Sequence, residues 1–178
     1  DLGGEVKKIL RGSVVFRTDA IDKKLLRLRT CEDLFLLAWG SDSLTYRATD
    51  LKLITQWTAK LKWDKLFKLH QQVREMPRKP TFHMVCQMQG EHGYRRVDAL
   101  DALGDGLRGK IPATWLPADE NAWLEIWLVV NGKTAMCGVR LSDRTMRHRT
   151  WKIEHIAASL RPSVAAAMVR LAGVAPGM

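Results

Sequence analysis

The stretch Trp123–Ser142, WLEIWLVVNGKTAMCGVRLS, contains the clearest secondary-structure signal in the sequence. Two apolar runs flank Asn131-Gly132, and this dipeptide is the strongest short signal for a tight hairpin turn. The stretch therefore predicts two neighbouring antiparallel strands. The pattern of the residues around it indicates what else packs with them.

A strand, a loop and a helix are predicted just before this hairpin. TFHMVCQMQ, from Thr81, is typical of a strand, and the glycine-flanked loop GEHGYRR follows it. VDALDALGDGLRGKI then predicts a helix, with acidic residues near its start, where the helix dipole favours them. We expect that helix to bury one apolar stripe, formed by Val97, Leu100, Leu103 and Leu107.

The first 80 residues predict a second group of strands and helices. GSVVFRTD and CEDLFLLAWG are strand candidates, and the leucines of AIDKKLLRLR between them fall on one helical face. A polar stretch at 41–50 precedes WDKLFKLHQQV, a predicted helix whose apolar side consists of Trp63, Leu66, Phe67 and Val73. The charged, proline-containing break REMPRKP (Arg74–Pro80) predicts a boundary between modules. We therefore expect an α+β fold.

Composition favours a basic globular protein with a polyanionic partner. The chain has 178 residues, 29 Lys and Arg against 19 Asp and Glu, and a net charge of +10. Nucleic acid is the first candidate partner, and the alternative is a charge that serves solubility alone. The sequence has no signal peptide and no apolar run long enough to span a membrane. The odd, widely spaced cysteines Cys31, Cys86 and Cys137 indicate reduced thiols in a cytoplasmic protein.

Motifs for catalysis or metal binding are not found in the sequence. It contains no P-loop, GxGxxG loop, GxSxG elbow, HExxH motif or Cys/His cluster. We interpret His83, within a strand, as a core or half-buried residue rather than a base, and Cys86 as a poor nucleophile. The prediction is that this chain, as given, catalyses nothing and holds no metal.

Basic clusters point to RNA binding, because several cations on one surface neutralise phosphates. Tyr94 and Trp151 adjoin two such clusters and could stack on unpaired bases, although Trp151 fits a packing role equally well. The lysines of DKKLL and KLKWDKLFKLH fit the solvated faces of amphipathic helices better than RNA contacts. The predicted RNA-binding residues are His92, Tyr94, Arg95, Arg96, Arg108, Lys110, Arg144, Arg147, Arg149 and Lys152.

The end of the sequence, LRPSVAAAMVRLAGVAPGM, predicts one more helix. Val164, Met168 and Leu171 fall on one apolar stripe, and Gly173 with Pro176-Gly177 ends the helix. We expect this stripe to be exposed in the chain as given, which would allow self-association through the helix.

Three segments of the sequence resemble parts of one enzyme family. The run from Phe82 to Leu141 resembles a THUMP domain, and GSVVFRTD, LLRLRTCEDLFLLAW and the helix near Trp63 resemble the ferredoxin-like domain that precedes THUMP in RNA-modifying enzymes. The last 38 residues, from Leu141, resemble the linker and first helix of THUMP-containing RNA guanosine-N2 methyltransferases. The resemblance implies a ferredoxin-like domain at 1–80, a THUMP domain at 81–141, and a linker and first helix of a missing Rossmann-like methyltransferase domain at 142–178.

The resemblance also implies a function. In that family a DPxCGxG-type loop binds S-adenosylmethionine and an Asn/Asp-Pro-Pro-aromatic motif places the target amine, and the sequence contains neither. The chain would thus be the part that docks the acceptor end of tRNA, or a ribosomal RNA, with S-adenosylmethionine as cofactor of the intact enzyme only. Alternatives are an enzyme whose methyltransferase fold comes from a partner chain, a free-standing THUMP-type adaptor for another RNA-modification enzyme, and a generic protein-interaction domain.

Overall fold

Five strands form the main sheet, and two more form a separate hairpin. The computed structural model describes residues 4–10, 12–143, 146, 154 and 159–174. Within them the elements follow in the order β1 (Glu5–Leu10), β2 (Ser13–Arg17), a 3-10 helix (Lys23–Arg27), β3 (Phe35–Ser41), α1 (Thr49–Ala59), α2 (Trp63–Val73), β4 (Thr81–Gln89), α3 (Arg96–Leu107), β5 (Leu116–Pro117), β6 (Leu124–Asn131), β7 (Thr134–Arg140) and α4 (Pro162–Leu171). The mixed α+β class is as predicted.

The predicted hairpin of β6 and β7 lies at the centre of the main sheet. Its strand order is β3-β7-β6-β4-β5, with β4 parallel to β6 and β3 antiparallel to β7. Gly132 in the turn has a φ of 56°, which glycine adopts without a steric penalty. Strand β3 precedes the Arg74–Pro80 break and strands β4 to β7 follow it, so strands from both sides of the break share one sheet. The division into domains at residues 80 and 141 stays a prediction.

One face of this sheet carries the core. Alternate residues of β6 are fully buried on it, and in register with them lie buried residues of β7: Leu124, Ile126, Leu128, Val130, Ala135, Cys137 and Val139. Met84 of β4 is on the same face, where Gly104 of α3 packs over it. The strand alternation thus sets which side of the sheet the helices cover.

Helices α1 and α3 run parallel in close contact. The hydroxyl of Thr55 donates to the carbonyl of Ala102 over 2.9 Å, and one turn later Gly106 lies against Thr58. Because both contacts advance in the same direction, α1 and α3 begin at the same end of the molecule. Gly106 permits this approach, since a Cβ there would lie 2.5 Å from the Cβ of Thr58.

This contact changes the predicted buried side of α3. Leu103 and Leu107 are buried as expected and Leu100 is half-buried, but Val97 is 44% exposed. The helix instead buries Ala99, Ala102 and Gly106. Small residues replace large ones because a neighbouring helix, rather than the sheet, faces them.

Helix α2 matches its prediction, and α1 and β1 were not predicted. Trp63, Phe67 and Val73 of α2 are buried and Leu66 is half-buried. The expected helix near AIDKKLLRLR is a single 3-10 turn, capped by the Asp22 side chain accepting from the Lys24 amide at 2.7 Å. Hairpin β1–β2 contacts the rest of the chain through Phe16, which packs against the core, and through an ion pair between Lys8 and Asp42.

Helix α4 has the predicted exposed stripe. Val164, Met168 and Leu171 are 44%, 54% and 87% exposed. At its start, Arg161 and the hydroxyl of Ser163 both donate to Glu32. Self-association through this helix stays a prediction. Among the described residues no helix has the length and apolar content needed to cross a membrane.

Candidate nucleic-acid interface

Three loops meet where α1 and α3 begin. We call this region the three-loop end: residues 42–48, 90–96 and 131–133. The amide of Gly93 donates to the carbonyl of Tyr46 at 2.7 Å, and the amide of Leu44 donates to that of Lys133 at 3.0 Å. Gly132 likewise donates to Gln89 at 3.2 Å. Backbone bonds between all three loops hold this region in one arrangement.

A row of aromatic rings crosses the three-loop end. The ring centroid of His92 lies 5.2 Å from that of Tyr46 and 5.1 Å from that of Tyr94. Tyr46 is 39% exposed, whereas Tyr94 is 6% exposed. The sequence predicted base stacking by Tyr94, and its burial argues against that role. Tyr46 has the open ring at this place, with an unusual positive φ of 66°.

The inner part of this row is polar and buried. The hydroxyl of Tyr94 and Nδ1 of His92 have no hydrogen-bond partner among the described residues. Beneath the loops lies the buried carboxylate of Asp50, which accepts from the Thr45 amide at 3.0 Å and the Thr45 hydroxyl at 2.8 Å. Burial, and then the charge of Asp50, raises the pKa of Tyr94 to about 12. Tyr94 is therefore a neutral phenol.

Net positive charge surrounds the aromatic row, with Glu91 as an exposed acid in the same loops. Arg47, Arg96 and Lys133 are exposed, and none forms an ion pair with any residue that the structure describes. Arg95 differs, because its guanidinium bonds to Asp98 at 3.0 Å. This hydrogen bond lowers the pKa of Asp98. Three of the four cations here are thus free to bind an anion.

The predicted RNA-binding residues fall into three groups. His92, Tyr94, Arg95 and Arg96 lie together at the three-loop end. Arg108 and Lys110 follow the far end of α3, roughly 18 Å away along its 12 residues, and Arg108 pairs with Asp105 at 2.6 Å. The rest lie outside the described residues and stay predictions: Arg144, Arg147, Arg149 and Lys152.

Sequence reasoning missed Arg47, Lys133 and Tyr46. Arg47 and Tyr46 stand side by side in the polar stretch SDSLTYRATD. An aromatic residue next to an arginine in such a stretch was the available signal. Lys133 had none beyond its place in a turn, because its neighbours at the three-loop end come from distant parts of the chain.

The residues that the structure describes lack a cluster of metal ligands. They contain no group of three or more His, Cys, Asp or Glu placed to hold a metal ion. Burial raises the pKa of Cys86 to about 11 and raises that of Cys137 also. His83 is half-buried, with Nδ1 2.8 Å from the carbonyl of Ala118. Both cysteines are unreactive thiols at neutral pH, and His83 has the structural setting predicted for it.

S-adenosylmethionine does not fit the glycines after β4. A Cβ on Gly93 would lie 3.2 Å from the Tyr46 carbonyl, and one on Gly90 would lie 3.7 Å from the Gly132 amide. The space beside these glycines is thus filled by the neighbouring loops, and no cradle for a cofactor opens there.

Solved structures share this fold. The chain is similar to part of TrmN from Thermus thermophilus (TM-score 0.68, 22% identity, 91% of this chain and 44% of that one). It is also similar to part of a predicted N6-adenine-specific DNA methylase from Listeria monocytogenes, with a TM-score of 0.68 and 16% identity over 96% of this chain and 42% of that one. A third similar structure is a possible methylase from Clostridium difficile, with a TM-score of 0.61 and 16% identity over 96% of this chain and 43% of that one. No family model and no curated protein matches the chain.

These similarities are structural. At 16–22% identity they show that the chain has the fold of one part of methylase-type proteins. The chain spans less than half the length of each of the three.

Proposed function

We propose that this chain is the RNA-binding part of an S-adenosylmethionine-dependent RNA methyltransferase. The observation that carries the proposal is the shared fold, which includes at least 91% of this chain and under half of each longer neighbour. The neighbour from Thermus thermophilus and the two described as methylases support a methyltransferase context. The finer identification, a THUMP domain with a ferredoxin-like neighbour in a guanosine-N2 methyltransferase, rests on the sequence resemblance.

The three-loop end suits an unpaired RNA end such as the acceptor tail of tRNA. Arg47, Arg96 and Lys133 can neutralise backbone phosphates, because no described carboxylate competes for them. The exposed ring of Tyr46 can stack on one unpaired base, a contact worth about 1–3 kcal/mol. Arg95 contributes less, since Asp98 already holds its guanidinium. A ribosomal RNA with an unpaired segment would meet the same chemistry.

Chemistry would take place elsewhere in the intact enzyme. The resemblance to THUMP-containing methyltransferases implies that S-adenosylmethionine would bind to the Rossmann-like domain of the intact enzyme. The role of this chain would be to hold the RNA end at a fixed distance from that domain. The enzyme would then select its target nucleotide by position.

Trimming the RNA tests this proposal. Binding should be measured for intact tRNA and for the same tRNA without its 3′ single-stranded tail, at two salt concentrations. Trimming should weaken binding clearly, and salt should weaken binding of both RNAs. Equal affinity for both would contradict the proposed docking of the tail.

Variants locate the site. Arg47→Gln, Arg96→Gln and Lys133→Gln together should abolish the difference between intact and trimmed tRNA. The matched control is Lys23→Gln, Lys24→Gln and Arg27→Gln, which removes the same charge from the exposed 3-10 turn. Retained discrimination in the first variant would remove the three-loop end from the site.

A further inference from the structure

The exposed side of α1 carries positive charge and no negative charge. Its exposed positions are Thr49, Lys52, Gln56 and Ala59, which recur every three or four residues and so form one stripe. The single acid in the helix, Asp50, is completely buried beneath the loops. No carboxylate of α1 therefore offsets the lysine on its surface.

More exposed lysines follow α1 along the chain. Lys60 and Lys62 occupy the turn, and Lys65 and Lys68 lie on the exposed side of α2. We call Lys52, Lys60, Lys62, Lys65 and Lys68 the lysine row. None of the five pairs with a carboxylate anywhere in the described chain. Between residues 49 and 73 the one exposed acid is Asp64.

The lysine row starts beside the three-loop end and leads away from it. Arg47 immediately precedes α1, and Lys60 lies about 12 Å along the helix axis from Lys52. Helix α3 runs parallel to α1 but exposes Asp101 and Asp105. A polyanion bound at the three-loop end therefore meets net positive charge along α1, whereas the acids of α3 are offset by its arginines.

We propose that the lysine row binds the sugar–phosphate backbone of a paired RNA stem whose unpaired end occupies the three-loop end. The part of this inference that places the unpaired end at the three-loop end rests on the proposed function. Lysine ammonium groups on flexible stems act as point charges, which suits phosphate contacts rather than base reading. A-form stems are recognised largely through their phosphates and shape. The row adds affinity and orientation, while the three-loop end selects the unpaired tail.

The test uses three RNAs: a hairpin with a 3′ single-stranded tail, the same hairpin with a blunt end, and the tail alone. The row variant is Lys52→Gln, Lys60→Gln, Lys65→Gln and Lys68→Gln. The control variant, Lys23→Gln, Lys24→Gln, Arg78→Gln and Lys79→Gln, loses the same charge at other exposed sites. Urea unfolding of both variants checks that these surface changes leave the fold intact.

We expect the row variant to lose at least about tenfold in affinity for both hairpins, with the slope of log K against log salt reduced by about 3. The tail alone should have the same affinity for the row variant as for the unsubstituted chain. Row and control variants of equal affinity for the blunt hairpin would overturn the inference. Tail recognition is measured separately, as the ratio of the affinity for the tailed hairpin to the affinity for the blunt hairpin. A ratio near one would contradict tail binding at the three-loop end without changing the result for the lysine row.

Discussion

Replacing Gly106 with alanine tests the helix contact that brings the starts of α1 and α3 together. A Cβ at this position would lie 2.5 Å from the Cβ of Thr58 and 2.8 Å from the carbonyl oxygen of Thr55. Non-bonded carbon atoms pack at about 3.5–4.0 Å. Both obstacles belong to the α1 backbone or its β-carbon and cannot rotate away. The two helices would have to separate by roughly 1 Å.

Three contributions set the size of the effect. Alanine is favoured over glycine within a helix by about 1 kcal/mol. Overpacking costs about 1–3 kcal/mol, and separating the helices stretches the 2.9 Å bond from Thr55 to Ala102, which is worth about 1 kcal/mol. We therefore expect Gly106→Ala to lower the free energy of unfolding by about 2 kcal/mol overall.

Gly104 provides the matched control on the same helix. A Cβ there would lie 3.5 Å from the terminal methyl of Met84, an ordinary contact with the flexible end of a side chain. Gly104→Ala should therefore raise the free energy of unfolding by about 0.5–1 kcal/mol. Urea unfolding followed by tryptophan fluorescence measures both, with unchanged m-values. A Gly106→Ala protein as stable as the Gly104→Ala protein would refute the reasoning.

Three further predictions concern buried polar groups. Burial, and then a nearby arginine charge, lowers the pKa of His70 from 6.5 to about 4. As pH falls, the His70 imidazole therefore takes up a proton in the unfolded chain before it does so in the folded chain, and stability should drop by about 2 kcal/mol from pH 7 to pH 5. Urea midpoints should show a smaller drop in His70→Phe. Equal drops would exclude His70 as the cause. Arg140→Met leaves Asp33, 2.6 Å from the lost guanidinium and 12% exposed, without this partner. It should cost about 3 kcal/mol in chemical unfolding, with part recovered by adding Asp33→Asn; a neutral Arg140→Met would contradict this. Asp50→Ala removes the acceptor of two Thr45 hydrogen bonds and should lower thermal stability by about 2 kcal/mol. An unchanged melting temperature would show that water replaces the carboxylate.

Elements with a strong local pattern could be predicted from the sequence. Asn131-Gly132 located the turn of the central hairpin to within one residue, because Asn131 pairs with Thr134 and the turn residues are Gly132 and Lys133. Trp63, Phe67 and Val73 located the buried side of α2. Helix α4 was recognisable from its proline start and its apolar spacing. In each case the signal lies within a dozen residues of its structural consequence, so tertiary contacts did not need to be known.

Features set by distant contacts could not be predicted. The exposure of Val97 follows from the approach of α1, which the sequence of α3 does not encode. Arg74–Pro80 interrupts the local pattern, yet the strands before and after it join one sheet, because strand pairing depends on residues far along the chain. Lys133 was overlooked for the same reason: its backbone partner Leu44 comes from another loop. Its place at the three-loop end was therefore visible only in the folded chain.

The pairing of β3 with β7 has a consequence for synthesis of the protein. Phe35 pairs with Arg140, so the first strand of the main sheet finds its partner roughly a hundred residues later in the chain. During translation β3 emerges from the ribosome long before β7 and must wait with one apolar strand unpaired. At about 5–20 residues per second, this interval lasts roughly 5–20 seconds. Until β7 emerges, Leu36 and its neighbours lack their partner strand, and an unpaired apolar strand is prone to aggregation.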